Sequence, residues 1–383
     1  MVSRMKTLKS GVLALLLTAV VISGQAFLAV AQNTPPELAS WLINTTGLKG
    51  YGGLPANVQS VQFSEGNVYV SSSGIPAYTI GPWPGDPNVP QDQKWVFRIP
   101  RNPQVNLGSK TNTPLGPIAV LINGVALFNA LDGHSYLNLG VWHQNAVVVE
   151  APSFDSCLGH SAPGGVYHHH QNPRCLYQLN PTSHSPLLGF AFDGFPIYGP
   201  YGYANSSGTS GIRRLLSSYR LRNITQRTTL PDGTQLNPSQ YGPPVSTTYP
   251  LGYYVEDYEY VSGMGDLDEH NGRFAVTPEY PNGTYAYYVT INEDGSSAYP
   301  YTVGPTYNGV VAMEDIGPNG GHVTISEPVM TYVPSTSVAE LNYPGLTIWI
   351  SGLVLAFSLV YGRIKATEGN EQCKRKRRGS CRE

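Results

Sequence analysis

The chain has 383 residues, of which 13% are charged, and it contains 42 Gly, 32 Pro and 26 Tyr. That composition favours turns and aromatic-lined strands over helices, in a chain long enough to bury a sizeable core. Residues 32–345 hold 12 Lys and Arg against 22 Asp and Glu, a net charge of −10 that argues against nucleic acid as a partner.

At the N-terminus Arg4, Lys6 and Lys9 precede an apolar run over residues 11–21 and then Ala29-Val30-Ala31. This is the order of a secretory signal cleaved after Ala31, residues 1–31, with an uncleaved anchor as the alternative. Residues 32–50 are expected to be a mobile lead-in. Residues 58–73 alternate apolar and polar side chains around Glu65-Gly66-Asn67, which predicts a hairpin with one wet face. A Pro- and Gly-rich loop over residues 74–91 follows, and strand character resumes at 94–99. Residues 117–128 are two apolar runs joined by Asn123-Gly124, a strong hairpin signal. The exported part therefore divides into a β-rich segment, 32–116, and a main domain, 117–333. His134 and His143 fall in turn-rich stretches and read as polar loop or core residues.

Cys157 and Cys175 bracket four of the nine histidines. If residues 166–170 form a strand, His168 and His170 project to one face while Tyr167 and His169 project to the other. His160 reaches the same place over the Pro163-Gly164-Gly165 turn as a third ligand. Imidazoles placed this way suit Zn or Cu, whereas a plain polar cluster is the alternative use of a histidine run. A disulfide between Cys157 and Cys175 would close a loop of about 19 residues and contribute roughly 3 kcal/mol in an oxidising compartment.

Residues 187–192 read as an apolar strand that delivers Asp193 into a tight turn, where it either caps the turn or serves the site as a ligand or orienting carboxylate. Residues 212–219 read as one short helix. Asp266, Asp268, Glu269 and His270 crowd a glycine-bounded loop, and their mutual repulsion would be relieved by a cation or by Arg273. The spacing is not that of an EF-hand. A good strand over 284–291 and an apolar segment over 323–333 end the domain.

Beyond a Ser/Thr/Pro stalk, 334–345, residues 346–361 are apolar and a basic tail, 362–383, follows. The pattern predicts one transmembrane helix with the tail in the cytoplasm, and a processed C-terminal sorting signal is the alternative. Sequons at Asn44, Asn205, Asn223 and Asn282 fit an external main domain. The fold class expected is mainly β, with antiparallel, sandwich-like sheets, long loops, one or two short helices and the C-terminal membrane helix.

Several of these stretches occur together in one known family. Ile122-Asn123-Gly124, Gly159-His160, Tyr167-His168-His169-His170, Asp193-Gly194-Phe195-Pro196-Ile197-Tyr198 and Asp266-Leu267-Asp268-Glu269-His270 stand in the same order. Over roughly residues 117–309 the chain resembles the YHYH-domain family of extracytoplasmic proteins, named for a Tyr-His-Tyr-His motif. Here His169 stands where that motif has its second Tyr, and the two motif histidines remain. The resemblance implies an exported domain and no particular activity.

The function expected is that of a membrane-anchored, external protein binding a transition metal, Zn or Cu. Its ligands are His168, His170 and His160, with His270 completing the set. Tyr167, His169, Asp193, Asp266, Asp268, Glu269 and Arg273 are the supporting residues. A metal-dependent hydrolase or oxidase at the same site, with Glu269 or Asp193 as general base, is the enzymatic alternative. The third is a non-catalytic glycosylated module whose Tyr198, Tyr201 and Tyr203 stack on sugar rings. Beyond the membrane, its partner would be a small molecule, glycan or protein. Signatures of serine hydrolases, P-loops and dinucleotide folds are lacking.

Overall fold

A computed structural model describes residues 34–334; the expected leader, the stalk beyond residue 334, the apolar span and the basic tail lie outside the described residues. The strands are β1 Val58–Phe63, β2 Asn67–Ser72, β3 Trp95–Pro100, β4 Pro117–Leu121, β5 Ala126–Phe128, β6 Leu131–Ser135, β7 His143–Asn145, β8 Gly159–Ala162 and β9 Val166–His169. They continue as β10 Leu187–Ala191, β11 Pro196–Tyr198, β12 Tyr201–Tyr203, β13 Ile212–Arg214, β14 Tyr219–Leu221, β15 Tyr258–Tyr260, β16 Gly272–Ala275, β17 Thr284–Tyr288 and β18 Met330–Thr331. Two four-residue α-helices accompany them, α1 Pro36–Ala39 and α2 Ala146–Val149. Among the described residues no helix is long and apolar enough to cross a membrane.

Eight strands form one sheet in the order β16-β17-β11-β10-β4-β5-β9-β8, and four form a second in the order β18-β1-β2-β3. The period-2 alternation of the sequence explains how they meet. On β4, Val120 faces the small sheet in a core shared with Val61, Val70 and Phe97, while Ala119 and Leu121 face separate clusters on the far side. Both faces of β4 and β10 are covered, so each is buried along its whole length. Phe97 of the small sheet stacks on Phe192 at 5.3 Å, tying the two layers together.

Most pairings are antiparallel, as expected, and both predicted hairpins form: β1 with β2 and β4 with β5. Two pairings are parallel, β5 with β9 and β11 with β17. Alternation within a strand does not encode its partner's direction.

Three local expectations are corrected. Residues 212–219 are not helical: β13 pairs with β12 and β14 pairs with β15. An eight-residue run cannot offset helix nucleation by itself, and burying Leu215 and Ser218 between tyrosine-bearing strands decides its conformation. The lead-in is ordered, because Trp41 is buried against Phe190 at 5.5 Å and Ile43 bridges Val58. Tyr198 is a core residue, fully buried, with its hydroxyl bonded to Glu279 and Thr277. Tyr201 and Tyr203 are half-buried.

Candidate metal centre

The histidine stretch forms the edge hairpin β8–β9 of the large sheet. Gly164 and Gly165 turn it with φ of +83° and +74°, values that favour glycine. A Cβ on Gly165 would also meet the Val89 carbonyl oxygen at 2.5 Å. In the resulting register His160 lies directly opposite His168, so both project to one face, and His170 follows on that face two residues later. His168 also pairs with Ala126 of β5, which places the imidazoles on the side of the large sheet that the small sheet covers.

The three rings converge through their Nε2 atoms. His160 and His168 Nε2 are 3.2 Å apart, and His168 and His170 Nε2 are 2.9 Å apart. A carboxylate joins them: Glu150 Oε2 is 3.3 Å from His160 Nε2 and 3.1 Å from His170 Nε2. All three histidines are at most 6% exposed.

Their partners fix where the ring protons reside. His168 Nδ1 is 2.9 Å from the Val166 carbonyl and His170 Nδ1 is 2.5 Å from the Asn129 carbonyl. A carbonyl only accepts, so both Nδ1 atoms donate. Ser153 Oγ donates its proton to the Glu150 carbonyl at 2.7 Å and therefore accepts from His160 Nδ1 at 2.8 Å. In the neutral form each ring then offers a bare Nε2 lone pair to the same point. Glu150 adds an anionic oxygen there, and it finds no hydrogen-bond partner. Four electron-rich atoms at this separation repel unless a proton or a metal cation lies among them.

The spacing suits a metal. With ligand bonds of about 2.0–2.1 Å, a tetrahedral zinc shell has ligand atoms about 3.3 Å apart. Aromatic walls hold the rings: Phe128 stacks on His168 at 3.9 Å and Phe154 meets His160 edge-on at 4.8 Å. Burial, followed by the neighbouring His170 and His160, drives the His168 pKa well below the ordinary imidazole range, favouring the neutral ligand form. Burial opposes ionisation of Glu150 as well; with His160 and His170 protonated, their hydrogen bonds and charge outweigh it and hold the carboxyl below the usual range, so in the absence of a metal a proton takes the place among these atoms.

The opposite face of β9 is scaffold. Tyr167 is fully buried and donates its hydroxyl to Asp155 Oδ2 at 3.0 Å, and Asp155 Oδ1 accepts the amides of Cys157 and Gly159. His169 donates through Nδ1 to the Leu158 carbonyl at 3.0 Å, which leaves Nε2 to accept from Tyr78 at 3.3 Å. Burial lowers the His169 pKa to about 4. The Cys157–Cys175 disulfide forms, with Cα atoms 5.2 Å apart, and ties the entry of the hairpin to the segment leaving it.

The other predicted site residues lie apart from the triad. His270 is not drawn into the cluster; its Nδ1 is 2.7 Å from Thr306 Oγ1. Asp266 pairs with Arg213, and Asp268 accepts from the His270 and Gly272 amides and the Tyr285 hydroxyl. The crowded acidic loop is thus relieved by Arg213 and backbone donors. Arg273 instead bonds the Tyr203 carbonyl and lies over Tyr288. Glu269 is exposed, with its carboxylate 3.7 Å from His270 Nε2. Asp193 is fully buried, accepting from the Tyr287 hydroxyl and the Gly309 and Phe195 amides, and burial raises its pKa to about 6. Neither Asp193 nor Glu269 is positioned as a base for the triad. Of the sequons, Asn205, Asn223 and Asn282 are exposed, while Asn44 uses its amide nitrogen in two hydrogen bonds.

Glu150 is the site residue the sequence reading did not single out. It follows α2 as its C-terminal cap, ten positions before His160. The available signal was a lone acid closing the apolar run 146–149 just ahead of the cysteine-bracketed stretch.

The triad and Glu150 border a cleft of about 770 Å³ whose lining includes Trp95, Phe128, Leu131, Asp86 and Asp132. Burial, then the neighbouring Glu150, raises the Asp132 carboxyl pKa.

Fold and site together define a mainly β, disulfide-bonded domain with a buried histidine triad able to hold a metal ion. A family model described as YHYH protein matches residues 96–299, and the chain belongs to that family. No curated protein and no solved structure matches the chain. In the motif, the family's alternation has a structural meaning: Tyr167 and His169 face the core, while His168 and His170 face the site. The departure at His169 therefore falls on the scaffold face.

Proposed function

We propose that the protein is an exported, membrane-anchored YHYH domain that binds one transition metal ion, Zn or Cu, through His160, His168, His170 and Glu150. One observation carries the reading: the three Nε2 atoms converge, with neighbouring contacts of 3.2 and 2.9 Å, Glu150 Oε2 lies 3.3 and 3.1 Å from two of them, and all three ring protons are committed elsewhere. Imidazole with one carboxylate suits these metals better than Mg or Ca, which prefer all-oxygen shells. The disulfide supports an oxidising compartment. The basic–apolar order at the N-terminus and the apolar–basic order at the C-terminus support export and anchoring.

A catalytic version draws support from the open cleft beside the ligands, through which a substrate would reach the metal. Asp132 lines that cleft with Glu150, whereas Asp193 and Glu269 do not, so it is the better-placed base.

Elemental analysis by mass spectrometry on protein purified without a metal-affinity tag tests the binding reading. About one equivalent of Zn or Cu is expected in the native chain and in His270→Ala, and none in His168→Ala/His170→Ala. Full metal in the double variant would exclude the triad.

A further inference from the structure

We infer that the cleft above the triad binds a small organic cation, an amine with an apolar body, and rejects anions; this rests on the metal reading for the charge of the cleft floor. The cleft, about 770 Å³, has room for a drug-sized ligand, and no Lys or Arg lines it among the described residues. Its acids are Asp86, Asp132 and Glu150. A divalent ion at the triad adds two positive charges against three carboxylates, so the floor stays net negative. The domain as a whole is also acidic. Apart from the exposed His134 and His322, an anion finds no ion-pair partner in this cleft unless it reaches the metal itself.

Asp86 is held in place from two sides, and Asp132 bonds the amide of the next residue. Asp86 Oδ1 accepts the Asn88 amide at 2.8 Å, its Oδ2 accepts the Ser161 amide at 3.2 Å, and Oδ2 lies 4.0 Å from His160 Nδ1. Asp132 Oδ1 accepts the Gly133 amide at 2.7 Å. Around them the surface is apolar and inflexible: Trp95, Pro117, Phe128, Pro152 and Pro163 line the same cleft. Fixed carboxylates beside aromatic and proline faces recognise an ammonium group by charge and its body by contact. The two remaining histidines of the lining, His134 and His322, are exposed.

The test compares benzylamine, benzyl alcohol and benzoate, three probes of one shape and different charge, by ligand-observed NMR titration of the full-length protein. The titrations are run on the metal-loaded chain and on His168→Ala/His170→Ala, with metal content measured in parallel. Benzylamine is expected to bind at least tenfold more tightly than benzoate in both. Asp86→Asn and Asp132→Asn should each reduce that ratio to threefold or less. If either variant fails to fold, salt is the second lever: raising NaCl from 0.05 to 0.5 M should weaken benzylamine and leave benzyl alcohol unchanged. Benzoate binding as tightly as benzylamine in both proteins overturns the inference, and so does the absence of binding by all three. Benzoate binding tightest only in the metal-loaded chain also overturns it, by making the metal the anion's receptor, and leaves the metal reading standing. The predicted order in a native chain that takes up no metal refutes the metal reading and keeps the ligand class.

Discussion

Removing the metal should lower the melting temperature by an amount that the site's own chemistry sets. The native fold brings three Nε2 atoms and Glu150 Oε2 together across contacts between residue 150 and residue 170, and the unfolded chain does not. A ligand that binds only the folded state stabilises it by about 4 kcal/mol when free metal is 1,000-fold above its dissociation constant. For about 300 ordered residues the unfolding entropy is roughly 0.6 kcal/mol per kelvin, so the shift is about 6 °C. Differential scanning calorimetry of chelator-treated protein, titrated with Zn or Cu at buffered free concentrations, reads it directly. The shift should grow with the logarithm of free metal and vanish in His168→Ala/His170→Ala. A melting temperature that stays within 1 °C across the titration, or a shift that persists in the double variant, would refute the reasoning.

Two further outcomes follow from buried charge. Arg227 and Asp257 form a fully buried bidentate pair at 2.7 and 2.8 Å, and Asp257 also accepts the Gly252 and Tyr254 amides. Asp257→Asn leaves the guanidinium uncompensated and should cost about 3–5 kcal/mol in urea unfolding; a loss under 1 kcal/mol would contradict this. His143 Nδ1 lies 2.6 Å from Glu256, whose hydrogen bond raises the imidazole pKa above its ordinary 6.5 against the opposing effect of burial. A raised pKa in the fold contributes stability that is complete below pH 6.5 and is lost as pH rises through the folded value. The melting-temperature advantage of native protein over His143→Gln should therefore be larger at pH 6 than at pH 9, and an advantage that grows with pH would reverse the assignment.

The site was legible in the sequence where a local period encodes it. Alternation over residues 166–170 separates His168 and His170 from Tyr167 and His169, and the glycine turn brings His160 opposite His168. Glu150 was not legible, because nothing periodic connects it to the hairpin; it arrives through the turn after α2, where Ser153 Oγ bonds its carbonyl. His270 sits in a conspicuous acidic loop, yet its partners are Thr306 and backbone, since long-range packing rather than residue type decides which histidines meet. The same limit governs the fold. Asn123-Gly124 announces its hairpin, while the parallel pairing of β5 with β9, which joins that hairpin to the site, depends on residues 42 positions apart, as Ala126 and His168 are. Residues 212–219 mislead because their apolar spacing suits a helix as well as two short strands, and the tyrosine-bearing strands β12 and β15 decide between them.

The central claim is that His160, His168, His170 and Glu150 share one ion. An anomalous difference map from a crystal of the metal-loaded protein, collected at the absorption edge of the bound metal, tests it most directly. The account predicts one peak about 2.0–2.1 Å from each of the three Nε2 atoms and within about 2.2 Å of a Glu150 oxygen. A principal peak at His270 or elsewhere, or ordered solvent bridging the three rings in protein saturated with metal, would contradict it.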